Sequence, residues 1–137
     1  ENLETGFACL ARPEHTIPAF IFDLFPVLRD MQTRRGGDLS GGQQQQLAIA
    51  RALITQPKVL LLDEPTEGIQ PNVIQQIGDA LETLRDQGDM AIVLVEQNAD
   101  FAYRIADRFT VIEQGRVKRT ADKADYDKEA LMADLAL

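Results

Sequence analysis

Apolar residues in the first part of the chain are spaced as in helices. After a mixed segment at 1–16, which we interpret as poorly structured, apolar side chains recur at intervals of three and four residues. A second helix is predicted to begin at Ser40, whose side chain can cap the first turn, and to stop at Gln56, because the residue before a proline avoids the helical region. The first apolar face comprises Phe20, Ile21, Leu24, Phe25 and Leu28. We therefore predict a helical subdomain over residues 1–57.

Aliphatic runs predict an α/β core in residues 58–137. Val59–Leu62 and Ala91–Val95 are continuous runs, a pattern typical of parallel strands that are covered on both faces. Between them lies an amphipathic helix that Pro71 opens and Gly88 ends. The order strand, helix, strand predicts a parallel crossover unit, so the fold class is α/β. The remaining predicted elements are a short helix capped by Asn98, a hairpin that turns at Gln114–Gly115 and a closing helix at 127–136.

Composition and charge narrow the classes of partner. The chain has 137 residues, of which 45% are hydrophobic and 26% are charged, and its formal net charge is −8. We expect no nucleic-acid partner, because such proteins need a basic face. The sequence has no run of about 18 apolar residues and no basic-then-apolar leader, so any link to a membrane is predicted to go through a partner. The single cysteine, Cys9, suits a reducing cytosol.

A serine and two glycines stand where the second helix is predicted to begin. The glycines lack the side chains that keep an anion away, so backbone N–H groups and the positive end of the helix can face a phosphate. Ser40 can add its hydroxyl. Taken alone, this tripeptide favours an ordinary helix cap with flexible glycines. The longer sequence from Leu39 through Gln43 to Leu53 is much more specific.

Two acidic residues follow the first predicted strand, and an amide follows the second. Asp63 lies where ligands bind in open α/β sheets, and its carboxylate can hold a hydrated magnesium ion. Glu64 can accept a proton from an attacking water. A solvated step from strand to turn is an equal alternative for this acidic pair. Gln97 can donate to a phosphate or face water, and its spacing alone favours water.

In order and spacing, Leu39–Gln43 and Val59–Thr66 resemble the signature motif and the second phosphate-binding motif of ATP-binding cassette (ABC) ATPases. The resemblance covers nearly the whole chain. Glu67–Pro71 and Val95–Asn98 resemble more narrowly the ATPase subunits of importers for branched-chain amino acids, amides and urea, with urea as the favoured substrate. The implied fold is part of a P-loop NTPase, with a helical signature subdomain and the C-terminal part of a mostly parallel core sheet.

The resemblance also implies how the signature motif is used. Ser40 and the amides of Gly41 and Gly42 are expected to contact the terminal phosphate of ATP that the opposite subunit holds. The loop from 67 to 70 is expected to cross the dimer interface. The implied nucleotide-binding residues are Leu39, Ser40, Gly41, Gly42 and Gln43, and those of the interface loop are Glu67, Gly68, Ile69 and Gln70.

The resemblance implies a catalytic role for Glu64 and Gln97. Asp63 is expected to bind Mg²⁺, largely through water, while Glu64 polarises the hydrolytic water. Gln97 stands where most members carry the switch histidine, and the only histidine here, His15, lies far upstream. We interpret Gln97 as a substitute that hydrogen-bonds the phosphate without titrating near neutral pH.

The sequence contains no Gly-x-x-x-x-Gly-Lys-Ser/Thr loop. The resemblance implies that this loop, the aromatic residue that stacks on adenine and the glutamine loop all precede the signature region. We infer a fragment that neither binds ATP tightly nor hydrolyses it alone. Loss of a neighbouring strand is expected to leave unpaired backbone and apolar surface, which favours self-association or strand exchange.

The function implied for the full-length protein is ATP hydrolysis that energises an importer. Its expected partners are an identical or sister ATPase subunit and transmembrane permease subunits, which hold it on the cytoplasmic face of the membrane. Two alternatives stay open. A non-transport cassette ATPase predicts a basic face or a second cassette, and a stand-alone, non-catalytic module that binds a partner predicts a natural start at this position.

Overall fold

Helices dominate the computed structural model, which describes residues 1–10 and 16–135 without the side chain of Cys9. His15 thus lies outside the described residues. The α-helices are α1 (Ala19–Leu24), α2 (Pro26–Asp30), α3 (Gly41–Ile54), α4 (Pro71–Gln87), α5 (Ala99–Ile105) and α6 (Lys128–Leu135). The strands are β1 (Val59–Asp63), β2 (Ala91–Val95), β3 (Arg108–Glu113) and β4 (Arg116–Asp122). Short 3-10 helices cover Leu3–Cys9, Gly36–Asp38 and Lys123–Asp125.

The parallel crossover predicted from the sequence is confirmed. Strands β1 and β2 are parallel and α4 connects them, with Val59 opposite Ala91 and Asp63 opposite Val95. Helix α4 ends at Gly88, which has φ of 73°, a left-handed conformation that favours glycine. The carboxyl ends of both strands therefore meet at one edge of the sheet.

The predicted hairpin is also present, as a separate antiparallel pair of β3 and β4. Its turn residues Gln114 and Gly115 have φ of 49° and 74°, the positive values that a two-residue hairpin turn requires. Phe109 and Val111 on β3 pack with Tyr126 and Leu131 in a small apolar cluster. Leu131 belongs to α6, the predicted closing helix, which this cluster therefore joins to the hairpin.

The prediction that both strands are covered on both faces is wrong for the described structure. Leu60 and Leu62 are buried in the main apolar core, but Leu61 is 73% exposed and its register partner Val93 is 48% exposed. The reason is that the helices pack against one face of the pair, and no element of residues 1–10 or 16–135 covers the other. An apolar strip therefore faces solvent; it comprises Val59, Leu61, Val93 and Val95.

The prediction of a poorly structured start is wrong for Leu3–Cys9. Leu3 and Phe7 are buried, and the guanidinium of Arg51 donates to the carbonyl of Asn2 at 2.8 Å and to the hydroxyl of Thr5 at 2.7 Å. Two apolar residues four positions apart are enough to anchor this turn against α3, although they are too few to give a periodic pattern.

The predicted apolar face of the first helix is confirmed, but the helix is broken. Phe25 separates α1 from α2 because Pro26 opens a new helix, and Ile21, Phe25 and Leu28 are buried. One apolar core contains residues from both sides of the predicted boundary at 57, so that division stays a prediction. None of the described helices is long and apolar enough to cross a bilayer.

Candidate functional site

Ser40 caps α3 as the sequence predicts. Its hydroxyl oxygen accepts from the backbone N–H of Gln43 at 3.3 Å, while the Gln43 side chain accepts from the Ser40 N–H at 3.0 Å. The N–H of Gln44 donates to the Ser40 carbonyl at 2.8 Å. Since the first N–H groups of a helix have no intrahelical acceptor, those of Gly41 and Gly42 are left without one among the described residues. We call Leu39–Gln43 the helix cap.

The helix cap packs against the start of α4 and the loop that precedes it. A Cβ added to Gly42 would lie 2.9 Å from Cγ1 of Val73, whereas one added to Gly41 would only touch Ile69, at 4.0 Å. Close approach of two helices therefore requires glycine at 42 in addition to any ligand role. The structure thus brings the cap beside Glu67–Gln70, where Gly68 has φ of 67°.

A partly buried hydrogen bond joins α3 to α4 farther along. Gln46 is 2% exposed, and its side-chain amide donates to the Gln76 side chain at 2.8 Å. Buried polar groups are costly unless they are paired, so this bond favours one relative position of the two helices. Composition and spacing gave no signal for it.

Asp63, Glu64 and Gln97 lie at the sheet edge where β1 and β2 end. The Glu64 N–H donates to the Val95 carbonyl at 2.8 Å, and Glu64 has φ of 44°, a conformation uncommon for residues with side chains. The Gln97 amide donates to the Glu64 carboxylate at 2.6 Å. The structure therefore unites two residues 33 positions apart in the sequence. We call Asp63, Glu64, Glu96 and Gln97 the carboxylate edge.

Glu96 is a residue of this edge to which the sequence assigned no role. Its carboxylate accepts from the Thr66 N–H at 3.1 Å, from the Thr66 hydroxyl at 2.6 Å and from the Asn98 N–H at 3.0 Å. Thr66 is buried. In the sequence, the only indication of a role for Glu96 is that an acidic residue stands immediately before Gln97, and this does not identify Thr66 or Asn98 as its partner.

Asp63 fits a hydrated magnesium ion. Its side chain is exposed and takes part in no hydrogen bond or ion pair within the described part of the chain. Mg²⁺ usually keeps several waters and takes one or two carboxylates besides phosphate oxygens. No group of three or more His, Cys, Asp or Glu side chains in that part could form an all-protein metal cage. A single exposed carboxylate can hold such an ion through the ion's water ligands.

An ion-pair cluster holds α5, which follows the edge, against α4. Arg104 pairs with Asp79, and with Glu82 at 2.5 Å. Gly78 lets the guanidinium cross α4, because a Cβ there would lie 2.5 Å from one of its nitrogens. The hydrogen bond from Arg104 lowers the pKa of Glu82 below its ordinary value.

The helix cap and the carboxylate edge do not meet through polar contacts. In the described ranges, no hydrogen bond or ion pair joins Ser40–Gln43 to Asp63, Glu64 or Gln97. The cap offers unpaired N–H groups, which suit an anion, whereas the edge offers carboxylates, which suit a cation and a water. The chain therefore presents two chemically different half-sites.

Much of this sequence is similar to known ATP-binding proteins of transporters. Residues 21–67 match the family model for ABC transporters. Over 118 residues the chain is 50% identical to the high-affinity branched-chain amino acid transport ATP-binding protein BraG of Pseudomonas aeruginosa, covering 85% of the chain and 50% of BraG. It is 44% identical over 95 residues to the probable branched-chain amino acid transport ATP-binding protein LivF of Archaeoglobus fulgidus, covering 69% of the chain and 40% of LivF. The chain thus spans half or less of the length of these relatives.

Solved structures agree on the fold. The ATP-binding subunit of an ABC transporter aligns over 99% of this chain and 61% of its own, with a TM-score of 0.72 and 23% identity. A dimeric, post-hydrolysis ATP-binding cassette bound to ADP and Pi aligns over 82% of this chain and 47% of its own, with a TM-score of 0.68 and 26% identity. The α/β fold predicted as part of an ABC-type P-loop NTPase is confirmed. With the family match and the identity to BraG, the chain belongs to the ATP-binding proteins of ABC transporters.

Proposed function

We propose that the chain is part of the ATP-hydrolysing subunit of an ABC importer. The observation that carries this proposal is the separation of the helix cap from the carboxylate edge within one chain. Each half-site then needs groups from elsewhere, namely a nucleotide and a second subunit. The dimeric cassette with ADP and Pi among the similar structures supports this arrangement.

The helix cap would bind the terminal phosphate of ATP held by a second subunit. The N–H groups of Gly41 and Gly42 have no acceptor among the described residues, and the Ser40 hydroxyl keeps its proton to donate while its oxygen accepts from Gln43. The positive end of α3 adds roughly 0.3–2 kcal/mol per unit charge, depending on burial. The neighbouring loop, Glu67–Gln70, would reach the same interface.

The carboxylate edge would act on the nucleotide of its own subunit. Asp63 would hold Mg²⁺ through water, and the ion when bound neutralises charge on the phosphates. Glu64 would accept a hydrogen bond from the attacking water and orient it. Gln97 holds one oxygen of Glu64 at 2.6 Å, which leaves the other oxygen for that water. An amide stays neutral at all ordinary pH, so Gln97 adds no charge to this contact.

The proposed cargo is a branched-chain amino acid, an amide or urea. The names of BraG and LivF support branched-chain amino acids. Amides and urea are proposed because Glu67–Pro71 and Val95–Asn98 resemble the ATPase subunits of the importer group that also carries them. The subunit would pair with an identical or sister ATPase and attach to permease subunits at the cytoplasmic face of the membrane. The 137 residues alone, which contain no Gly-x-x-x-x-Gly-Lys-Ser/Thr loop, would not hydrolyse ATP.

A substitution of Glu64 tests this function in the full-length protein. Glu64→Gln keeps the side-chain size but removes the carboxylate that would orient water, so turnover should fall at least about 100-fold while ATP stays bound. Asp89→Asn is a matched control, since Asp89 is exposed and makes no hydrogen bond or ion pair within the described residues. Undiminished hydrolysis by Glu64→Gln would overturn the assignment of Glu64.

A further inference from the structure

We propose that Glu96 is a positioning residue of the ATP-hydrolysing site, whose carboxylate fixes the loop carrying Glu64 against the loop carrying Gln97. This inference rests on the proposed function. It concerns how the edge is assembled, whereas the proposed function concerns what Asp63, Glu64 and Gln97 do once they are in place.

Main-chain pairing of the two strands stops just before these loops. The last main-chain bond between them runs from the Glu64 N–H to the Val95 carbonyl at 2.8 Å. Beyond it, the loop after β1 turns through Pro65, and the loop after β2 leads into α5. Apart from the hydrogen bond between the Gln97 and Glu64 side chains, each loop needs a further connection to be held against the other.

The Glu96 carboxylate supplies that connection from both of its oxygens. Oε1 accepts from the N–H and the hydroxyl of Thr66, at 3.1 and 2.6 Å, and Oε2 accepts from the N–H of Asn98 at 3.0 Å. Thr66 follows Glu64 by two residues, and Asn98 follows Gln97 by one. One side chain thus spans both loops directly behind the pair that bonds at 2.6 Å.

The donors to Glu96 make this bridge strong and directional. Hydrogen bonds to an ionised acceptor are roughly twice as strong as neutral ones, and all three donors are fixed by the backbone or by the buried side chain of Thr66. A displacement of about 1 Å at a reacting group can cost on the order of 100-fold in rate. Loss of the bridge is therefore expected to slow hydrolysis without weakening nucleotide binding to the same extent.

The test compares six variants of the full-length ATPase, one of them a double variant, by kcat and KM for ATP. Glu96→Ala removes the bridge, Glu96→Gln keeps the shape but loses one acceptor oxygen, and Thr66→Val removes only the hydroxyl donor. Thr66→Ser keeps that donor and serves as the conservative rescue. Asp89→Asn is the control for loss of an acidic charge.

For Glu96→Ala, kcat is expected to fall at least about tenfold with KM changed by less than about threefold. Glu96→Gln and Thr66→Val should lie between Glu96→Ala and the wild type, and Thr66→Ser should stay near the wild type. The double variant Glu96→Ala, Thr66→Val should be no slower than Glu96→Ala alone, because both remove the same contact. An unchanged kcat in Glu96→Ala, or equal losses in Thr66→Val and Thr66→Ser, would overturn the inference.

Backbone hydrogen exchange separates this inference from the proposed function. If the wild-type protein hydrolyses no ATP, the proposed function fails, but the bridge is still open to measurement. Glu96→Ala should then speed exchange at the Thr66 and Asn98 amides while leaving the β2 amides unchanged. Equal exchange in variant and wild type would show that Glu96 does not hold the loops.

Discussion

The side-chain amide of Gln97 donates to a carboxylate oxygen of Glu64 across 2.6 Å, between the loops that follow β2 and β1. From the sequence, Gln97 was expected either to contact a phosphate or to face water. A hydrogen bond to Glu64 was not among these expectations. An amide at this position fixes one oxygen of the neighbouring carboxylate and adds no charge. The contact shown by the structure is thus between Gln97 and Glu64, and we predict that it orients the Glu64 carboxylate.

Substitution of Gln97 should lower turnover through Glu64. Gln97→Ala removes the donor, and kcat of the full-length ATPase is expected to fall about tenfold, because Glu64 then samples more rotamers. Gln97→Glu has nearly the same size but places two carboxylates in contact, so the loss should be larger at neutral pH and partly reversed by acidification, when the pair shares a proton.

Steady-state ATPase assays between about pH 5.5 and 8 check this prediction, because two carboxylates in contact favour sharing a proton as the pH falls. Asp89→Asn should show the wild-type pH profile. Equal activity of Gln97→Ala and the wild type at every pH would contradict an orienting role.

The two glycines of the helix cap should respond differently to alanine. In Gly42→Ala the new Cβ would lie 2.9 Å from Val73 Cγ1, so one helix must shift, at a cost of about 1–3 kcal/mol in unfolding free energy. In Gly41→Ala the nearest atom is 4.0 Å away, and alanine in a first helical turn should be neutral or slightly stabilising. Urea unfolding of both variants measures the contrast.

A compensating change tests whether packing against Val73 causes the loss. Gly42→Ala combined with Val73→Ala should recover much of the stability lost in Gly42→Ala, because the second change removes the atoms in conflict. If both glycine variants have the same free energy of unfolding, the close approach of Gly42 to Val73 does not limit which residue fits at position 42.

Features set by neighbouring residues were predictable from the sequence. The cap at Ser40, the end of α4 at Gly88 and the turn at Gln114–Gly115 depend on local backbone preferences, and all three are present. An aliphatic run likewise predicts a strand. It does not say how many of its faces are covered, because coverage depends on distant parts of the chain.

Contacts between distant residues were not predictable. Glu96 and Thr66 are 30 positions apart, and nothing in their spacing specifies that one accepts from the other. The conflict that would arise between alanine at 42 and Val73 depends on the distance between two helices, which a single sequence does not contain. The residue types at the edge were therefore identified from the sequence, but their geometry and the role of Glu96 were not.

The exposed strip on β1 and β2 should make the 137-residue chain associate. Leu61 and Val93 face solvent side by side, and an apolar strip on a two-stranded sheet whose outer edges are unpaired favours contact with another copy. Leu61→Lys should therefore raise the monomer fraction of the isolated chain in light scattering and sedimentation experiments.

A charge-matched control comes from the hairpin. Ile112 is also exposed, but it lies on the separate sheet of β3 and β4, so Ile112→Lys adds the same charge away from the strip. It should change association less than Leu61→Lys does. A monomeric wild-type chain at high concentration would contradict the prediction.

The ion pair between Arg104 and Glu82 should give α4 and α5 an acid-sensitive contact. The hydrogen bond from Arg104 lowers the pKa of Glu82 from its ordinary value of 4.5. A lowered carboxyl pKa contributes stability that is present above the unfolded value and is lost as pH falls through the folded value. Because the Glu82 side chain is 32% exposed, its contribution at neutral pH should be about 1 kcal/mol or less.

Glu82→Gln should therefore unfold more easily than the wild type at pH 7, and the difference should shrink as pH falls below 4.5. Urea unfolding across this pH range measures it, with Glu129→Gln as an exposed control that makes no hydrogen bond or ion pair within the described residues. A stability difference that stays constant down to the acid transition would mean that the charge of Glu82 does not stabilise the contact.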